Sequence, residues 1–203
     1  MKNVVLLAAV LPSFALAACA TAPHRVDQEE LSPDYSGRTY SDLLILGAYE
    51  DRSFRVSSET AFAEELKAKG VTATPSYPSI PDLKSLENEA MIKEALASMS
   101  HDALLTVSTI DEGYDYEYDD YLETRGLVYL LGGEPGAGTD MGSFISWAGS
   151  GSYSLLIALW DTGTLEPVWQ VTTNSQSTGS ESGDLKALSE FVVETMRAKG
   201  LVQ

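Results

Sequence analysis

The chain reads as a single mixed α/β domain in the order β-α-β-α-β, then a β-hairpin, then a C-terminal helix, with the helices packed on a mixed sheet. Three observations point there. Short apolar runs alternate with segments of helical periodicity through the first half, two strand-like runs joined by a Gly-containing turn follow, and one amphipathic stripe closes the chain. The single cysteine in 203 residues excludes an intramolecular disulfide, so the core alone must hold the fold.

Taken in order, Asp42-Leu43-Leu44-Ile45-Leu46-Gly47-Ala48-Tyr49 is a compact apolar run suited to a strand buried on both faces, and it is expected at the centre of the sheet. Ser57 or Ser58 is placed to cap a helix carrying Ala61, Phe62, Glu65, Leu66 and Lys69, with Gly70 as its left-handed C′ residue. Phe62 and Leu66 share a face. Val71 to Thr74 reads as a second strand, closed by Pro75, Pro78 and Pro81, which cannot extend a central ladder. A second helix, about Leu86 to Met99, sets Ile92, Ala95, Leu96 and Met99 on one stripe with Ser85 as cap. Asp102 to Tyr118 reads as a third, long strand. Two right-handed crossovers make these three strands parallel.

The pattern then changes. Gly151 to Trp160, the turn Asp161-Thr162-Gly163-Thr164 and Val168 to Thr172 form a hairpin. Leu185, Leu188, Phe191, Val192, Thr195 and Met196 mark the last helix, ended by Gly200. There is no internal repeat.

Ahead of the domain, Val4 to Leu16 is a run of 13 residues, apolar except for Pro12 and Ser13. A bilayer span needs about 20. With Lys2 before it, the run reads as the h-region of a secretory signal, and it ends in Leu16-Ala17-Ala18-Cys19. This quartet resembles the lipobox of bacterial lipoproteins. The resemblance implies a thioether-linked diacylglycerol on Cys19, cleavage after Ala18, and two or three chains in all, enough for a firm anchor where one chain binds only marginally. It divides the chain into a signal peptide, 1–18, a lipidated N-terminus and flexible tether, 19–40, and a periplasmic α/β domain, 41–203. The stretch from Ala20 to about Arg38 is polar, holds Pro23 and Pro33, and reads as disordered or extended.

The formal charge is −17, and −18 once residues 1–18 and their Lys2 are removed. Such a surface repels nucleic acid and anionic headgroups and favours cations or basic partners. Solubility explains the acidity equally well.

The element order and the Leu-Trp-Asp-Thr-Gly-Thr-Leu-Glu-Pro-Val-Trp hairpin resemble a broad group of small envelope lipoproteins, in which a strand ending in an aspartate turns into one containing a tryptophan, here Asp161 and Trp169. The chain is more distantly similar to the outer-membrane lipoproteins that activate penicillin-binding proteins and to the curli secretion lipoprotein, whose soluble parts have similar α/β folds. This resemblance is one of pattern and transfers no functional residue. In the lipoprotein sorting rule an aspartate after the lipidated cysteine retains a protein in the inner membrane. That position is Ala20 here, which implies the outer membrane, periplasmic face, in a double-membraned bacterium.

Two stretches invite a chemical reading. Asp111 to Glu123 holds seven carboxylates and no base. If extended, it puts Asp115, Glu117 and Asp119 on one face and Tyr114, Tyr116 and Tyr118 on the other. Carboxylates two apart on a strand are ~6–7 Å from one another, too far to converge on one Ca²⁺ without a bend. A solvated sheet extension is the plainer reading, with a cation site or a docking strip for a basic partner as the sharper ones. Gly132 to Gly151 has seven glycines in 20 residues, but Gly136-Ala137-Gly138-Thr139-Asp140-Met141-Gly142 lacks the spacing of a phosphate loop. It reads as a mobile loop carrying Phe144 and Trp147.

Catalysis finds little support. His24 sits in the tether, His101 follows a helix end in a charged or capping position, and neither G-x-S-x-G nor H-E-x-x-H occurs. The sequence therefore predicts no catalytic residue, no cofactor, no metal site and one modification, at Cys19. The expected function is that of a non-enzymatic lipoprotein, an interaction or assembly accessory with the membrane and an envelope protein as partners. The alternative is a periplasmic binding or hydrolytic module acting on envelope glycan or lipid.

Overall fold

A computed structural model of the chain describes residues 24–49, 51–83, 89–109 and 151–203. One six-stranded mixed sheet runs through it in the order β1-β6-β5-β4-β2-β3. The strands are β1 (His24–Leu31), β2 (Asp42–Ala48), β3 (Thr72–Pro75), β4 (Ala103–Thr109), β5 (Ser152–Asp161) and β6 (Pro167–Gln176). The helices are α1 (Arg52–Ala68), α2 (Glu89–Met99) and α3 (Glu181–Ala198).

The parallel half forms as expected. β2 pairs in parallel with β3 on one side and with β4 on the other. Because the chain steps outward to β3 and then back across β2 to β4, equal handedness of the two crossovers requires their helices to lie on opposite faces. They do: Phe62, Ala63 and Leu66 of α1 join the larger core, while Leu96 of α2 joins the smaller one with Leu44, Leu46, Leu104 and Trp160. α3 lies on the α1 side and contributes Leu185, Leu188, Val192, Val193 and Met196. β2 is buried on both faces, but it stands second from an edge; β4 and β5 are the middle pair.

The hairpin is also as expected, β5 and β6 being antiparallel around a turn in which Asp161 accepts N–H bonds from Gly163 at 2.8 Å and Thr164 at 3.2 Å. Gly70 and Gly200 take φ +87° and +74°, closing α1 and α3 in the left-handed conformation that glycine adopts without Cβ strain.

Three further expectations are corrected. α1 starts at Arg52, six residues before Ser58, because Asp51 caps it: the Asp51 carboxylate accepts the Phe54 N–H at 2.8 Å, and Phe54 and Arg55 are buried in the added turn. Pro75 belongs to β3 rather than following it, which an edge strand tolerates since one side of its ladder is free. The tether is the third. Residues 24–31 are extended, as allowed, but they are an edge strand paired antiparallel to β6 along its length, with a register shift between Val26 and Gln28. Cys19 with its lipobox, the carboxylates of 111–123 and the glycines of 132–150 lie outside the described residues, as do Ser85 and the continuation of β4 towards Tyr118.

Candidate functional site

Polar side chains inside the fold gather in three places. The first is at the outer end of β2. The β2–β3 ladder stops at Ile45 and Pro75, so the next β2 donor has no strand partner on that side. Glu59 of α1 replaces it. Its Oε1 accepts the Gly47 N–H at 3.0 Å, the Arg55 Nε at 2.7 Å and the Ser76 hydroxyl at 2.9 Å, and its Oε2 accepts the Tyr77 N–H at 2.8 Å. Arg55 in turn donates to Ser76 Oγ at 2.8 Å. Both charged side chains are sealed from solvent, at 3% and 0% exposure, so their charges must be met internally, and the guanidinium and the carboxylate meet each other. The network anchors the segment after β3 to the sheet.

The second lies at the hairpin turn, at the amino ends of the parallel strands. Asp161 accepts Arg38 Nη1 at 2.8 Å and the Tyr40 hydroxyl at 3.1 Å besides its two turn amides. Burial works against its ionisation, but Gly163, Tyr40, Thr164 and Arg38 together hold its carboxyl below the usual range. Alongside, Asp102 accepts the Ser41 and Asp42 N–H groups, and His101 Nδ1 is 2.9 Å from Asp42 Oδ1. Of the charged or capping position expected for His101, the structure shows a contact with a carboxylate, which ties the start of β4 to the start of β2. The resemblance's aspartate and tryptophan both make internal contacts: Asp161 pins the turn, and Trp169, 1% exposed, donates its Nε1–H to Glu29 Oε1 at 2.8 Å.

The third lies at the carboxyl ends of the parallel strands, where open α/β sheets tend to bind ligands. A row crosses the sheet in register from His24 on β1 to Ser175 on β6 to Tyr153 on β5. His24 Nδ1 is 2.9 Å from Ser175 Oγ. Below it is Asp184, in the first turn of α3, whose carboxylate caps the preceding loop by accepting from Ser177 Oγ, Thr178 N and Thr178 Oγ1. Burial lowers the His24 pKa below its ordinary value and outweighs the attraction of Asp184. Burial likewise raises the Tyr153 hydroxyl, with Asp184 adding to it.

Serine, histidine and aspartate are assembled here, but not as an activated nucleophile. Asp184 spends its oxygens on the 177–178 loop, and Ser175 is 0% exposed. Sequence reading placed His24 in the tether; the structure instead brings it to a serine 151 residues away. No local signal marks that pairing, since it depends on β1 finding β6. Among the described residues no group of three or more His, Cys, Asp or Glu is arranged to hold a metal ion, and no helix is long and apolar enough to cross a membrane.

No family model matches the chain, and no curated protein sequence matches it. Solved structures of similar architecture include the PelC dodecamer from Paraburkholderia phytofirmans, with TM-score 0.49 and 13% identity, covering 89% of this chain and 99% of that one. Another is the lipoprotein GNA1162 from Neisseria meningitidis, with TM-score 0.40 and 16% identity, covering 77% of this chain and 96% of that one. At this level the likeness carries no argument about function.

Proposed function

We propose that the chain is a lipoprotein of the cell envelope, anchored through Cys19, whose α/β domain acts as a non-enzymatic interaction or assembly accessory on the periplasmic face of the outer membrane. The observation that carries the reading is the lipobox Leu16-Ala17-Ala18-Cys19, placed directly after an apolar run too short to span a bilayer. Further support comes from the three polar networks, whose carboxylates are occupied by internal donors and whose buried serines face protein. The test is the mass of the N-terminal peptide of the purified native protein, together with its partition between membrane and soluble fractions. A diacylglyceryl mass on Cys19, with Cys19→Ala shifting the protein out of the membrane, is expected; an unmodified Cys19 in a soluble protein would overturn the anchor. Retention of peptidoglycan strands or phospholipid by the purified protein would move the second half of the reading to a binding module.

A further inference from the structure

We infer that β1 is a detachable strap, held on the sheet while His24 is neutral and released when His24 takes up a proton. The strand's burial pattern motivates this. From Arg25 to Leu31 its side chains are exposed or half-buried, and only His24 is buried, at 5% exposure. No β1 residue belongs to either hydrophobic core. The strap is held by its ladder to β6, by Glu29 on Trp169 Nε1 and Lys199 Nζ, by Glu30 on Gln170 Nε2, and by the His24 plug. Being an edge strand, it can leave without opening any other ladder.

The plug is sensitive to charge. The His24 ring lies 6.0 Å from the Phe191 ring of α3, its Nδ1 meets Ser175, and its Nε2 is buried with no hydrogen-bond partner among the described residues. The imidazolium carries a proton on both ring nitrogens, so whichever tautomer the neutral ring holds, the charged ring has an N–H at that Nε2, desolvated and unpaired. The groups facing it are Ser175 from β6, Tyr153 from β5, and Phe191 and Asp184 from α3. Of these Asp184 is the one carboxylate, and its attraction for an imidazolium is smaller than the burial penalty. The detached strap therefore binds the proton more tightly than the docked one. Docking is complete above the free imidazole value of about 6.5 and weakens as pH falls from there towards the lowered docked value, by at most about tenfold per pH unit.

Its consequence for reach rests on the proposed anchor at Cys19, although the strap itself does not. Docked, β1 begins five residues after Cys19, a span of at most ~18 Å. Released, the chain is next held at Ser32, whose N–H bonds Val168 O, so the extended span rises to roughly 43–47 Å.

The test is hydrogen exchange on the purified full chain at pH 7.5 and 5.5, corrected for intrinsic rates, comparing amides 25–31 with those of β2. Protection of 25–31 is expected to fall severalfold at the lower pH while β2 keeps its own, and both His24→Gln and His24→Phe are expected to flatten the dependence. Equal protection of 25–31 at the two pH values would overturn the proposal. A dependence that persists in both variants would do the same, assigning it to Asp184 or another carboxylate. Because the readout is protection of β1, it is independent of the N-terminal mass that tests the anchor.

Discussion

Glu59 Oε1 lies 2.7 Å from Arg55 Nε with both side chains closed to solvent, one helical turn apart on α1. The same carboxylate finishes the β2 edge above Pro75, so the pair is joined to the sheet and not merely stacked beside it. Glu59→Ala leaves a buried guanidinium and two backbone donors unmet, and the expected loss is about 3–5 kcal/mol, read as a lower urea midpoint. Replacing both residues by Met is expected to recover only part of it, because the Gly47 and Tyr77 N–H groups remain without their acceptor. A double variant as stable as wild type would show that these amides find another partner.

Gly47 is where that network meets the core. A Cβ there would stand 2.9 Å from Tyr49 Cδ2 and 3.4 Å from Arg55 Cγ. Tyr49 is fully buried and packs edge-on against Phe54 at 4.7 Å, so its ring has little room to give way. Gly47→Ala is expected to cost roughly 1–3 kcal/mol through overpacking, measured by thermal or urea unfolding. An unchanged midpoint would mean that the ring moves freely.

Gly70 and Gly200 end their helices at positive φ with open space around them. Alanine at either site meets backbone strain and no clash, so each substitution is expected to cost about 1–2 kcal/mol, and the two, on different helices, to add. Costs far below this would mean that the helix ends unwind by a residue to relieve the strain.

Asp161 gives the hairpin a pH dependence. Its folded carboxyl is held below the unfolded value, so its contribution is present above about pH 4 and is lost as pH falls through the folded value. Asp161→Asn keeps one acceptor, Oδ1, for Gly163 and Thr164 but puts an NH2 where Oδ2 accepts Arg38 and the Tyr40 hydroxyl, and is expected to cost at least about 1 kcal/mol at pH 7. The wild-type and variant unfolding midpoints are then expected to converge towards pH 3; parallel curves across that range would remove Asp161 from the account.

Much of the fold follows from local pattern. The apolar run at 42–49, the stripe on α1, the glycines closing two helices and the Asp-Thr-Gly-Thr turn each contain within a few residues the interactions that form them. Sequence alone therefore determined the order of elements from β2 onward, the parallel pairing of β2, β3 and β4, the β5–β6 hairpin, and the lipobox that defines the proposed anchor. Tertiary structure decided what rests on distant partners. Arg55 and Glu59 carry the spacing of an ordinary exposed helix pair, and only the packing of α1 on β2 turns them into a sealed network. His24 lies in a polar, proline-flanked stretch whose strand forms because β6, some 140 residues later, presents a free edge. A pairing of that separation leaves no local trace, since its hydrogen bonds and its one buried ring exist only once the rest of the sheet has assembled.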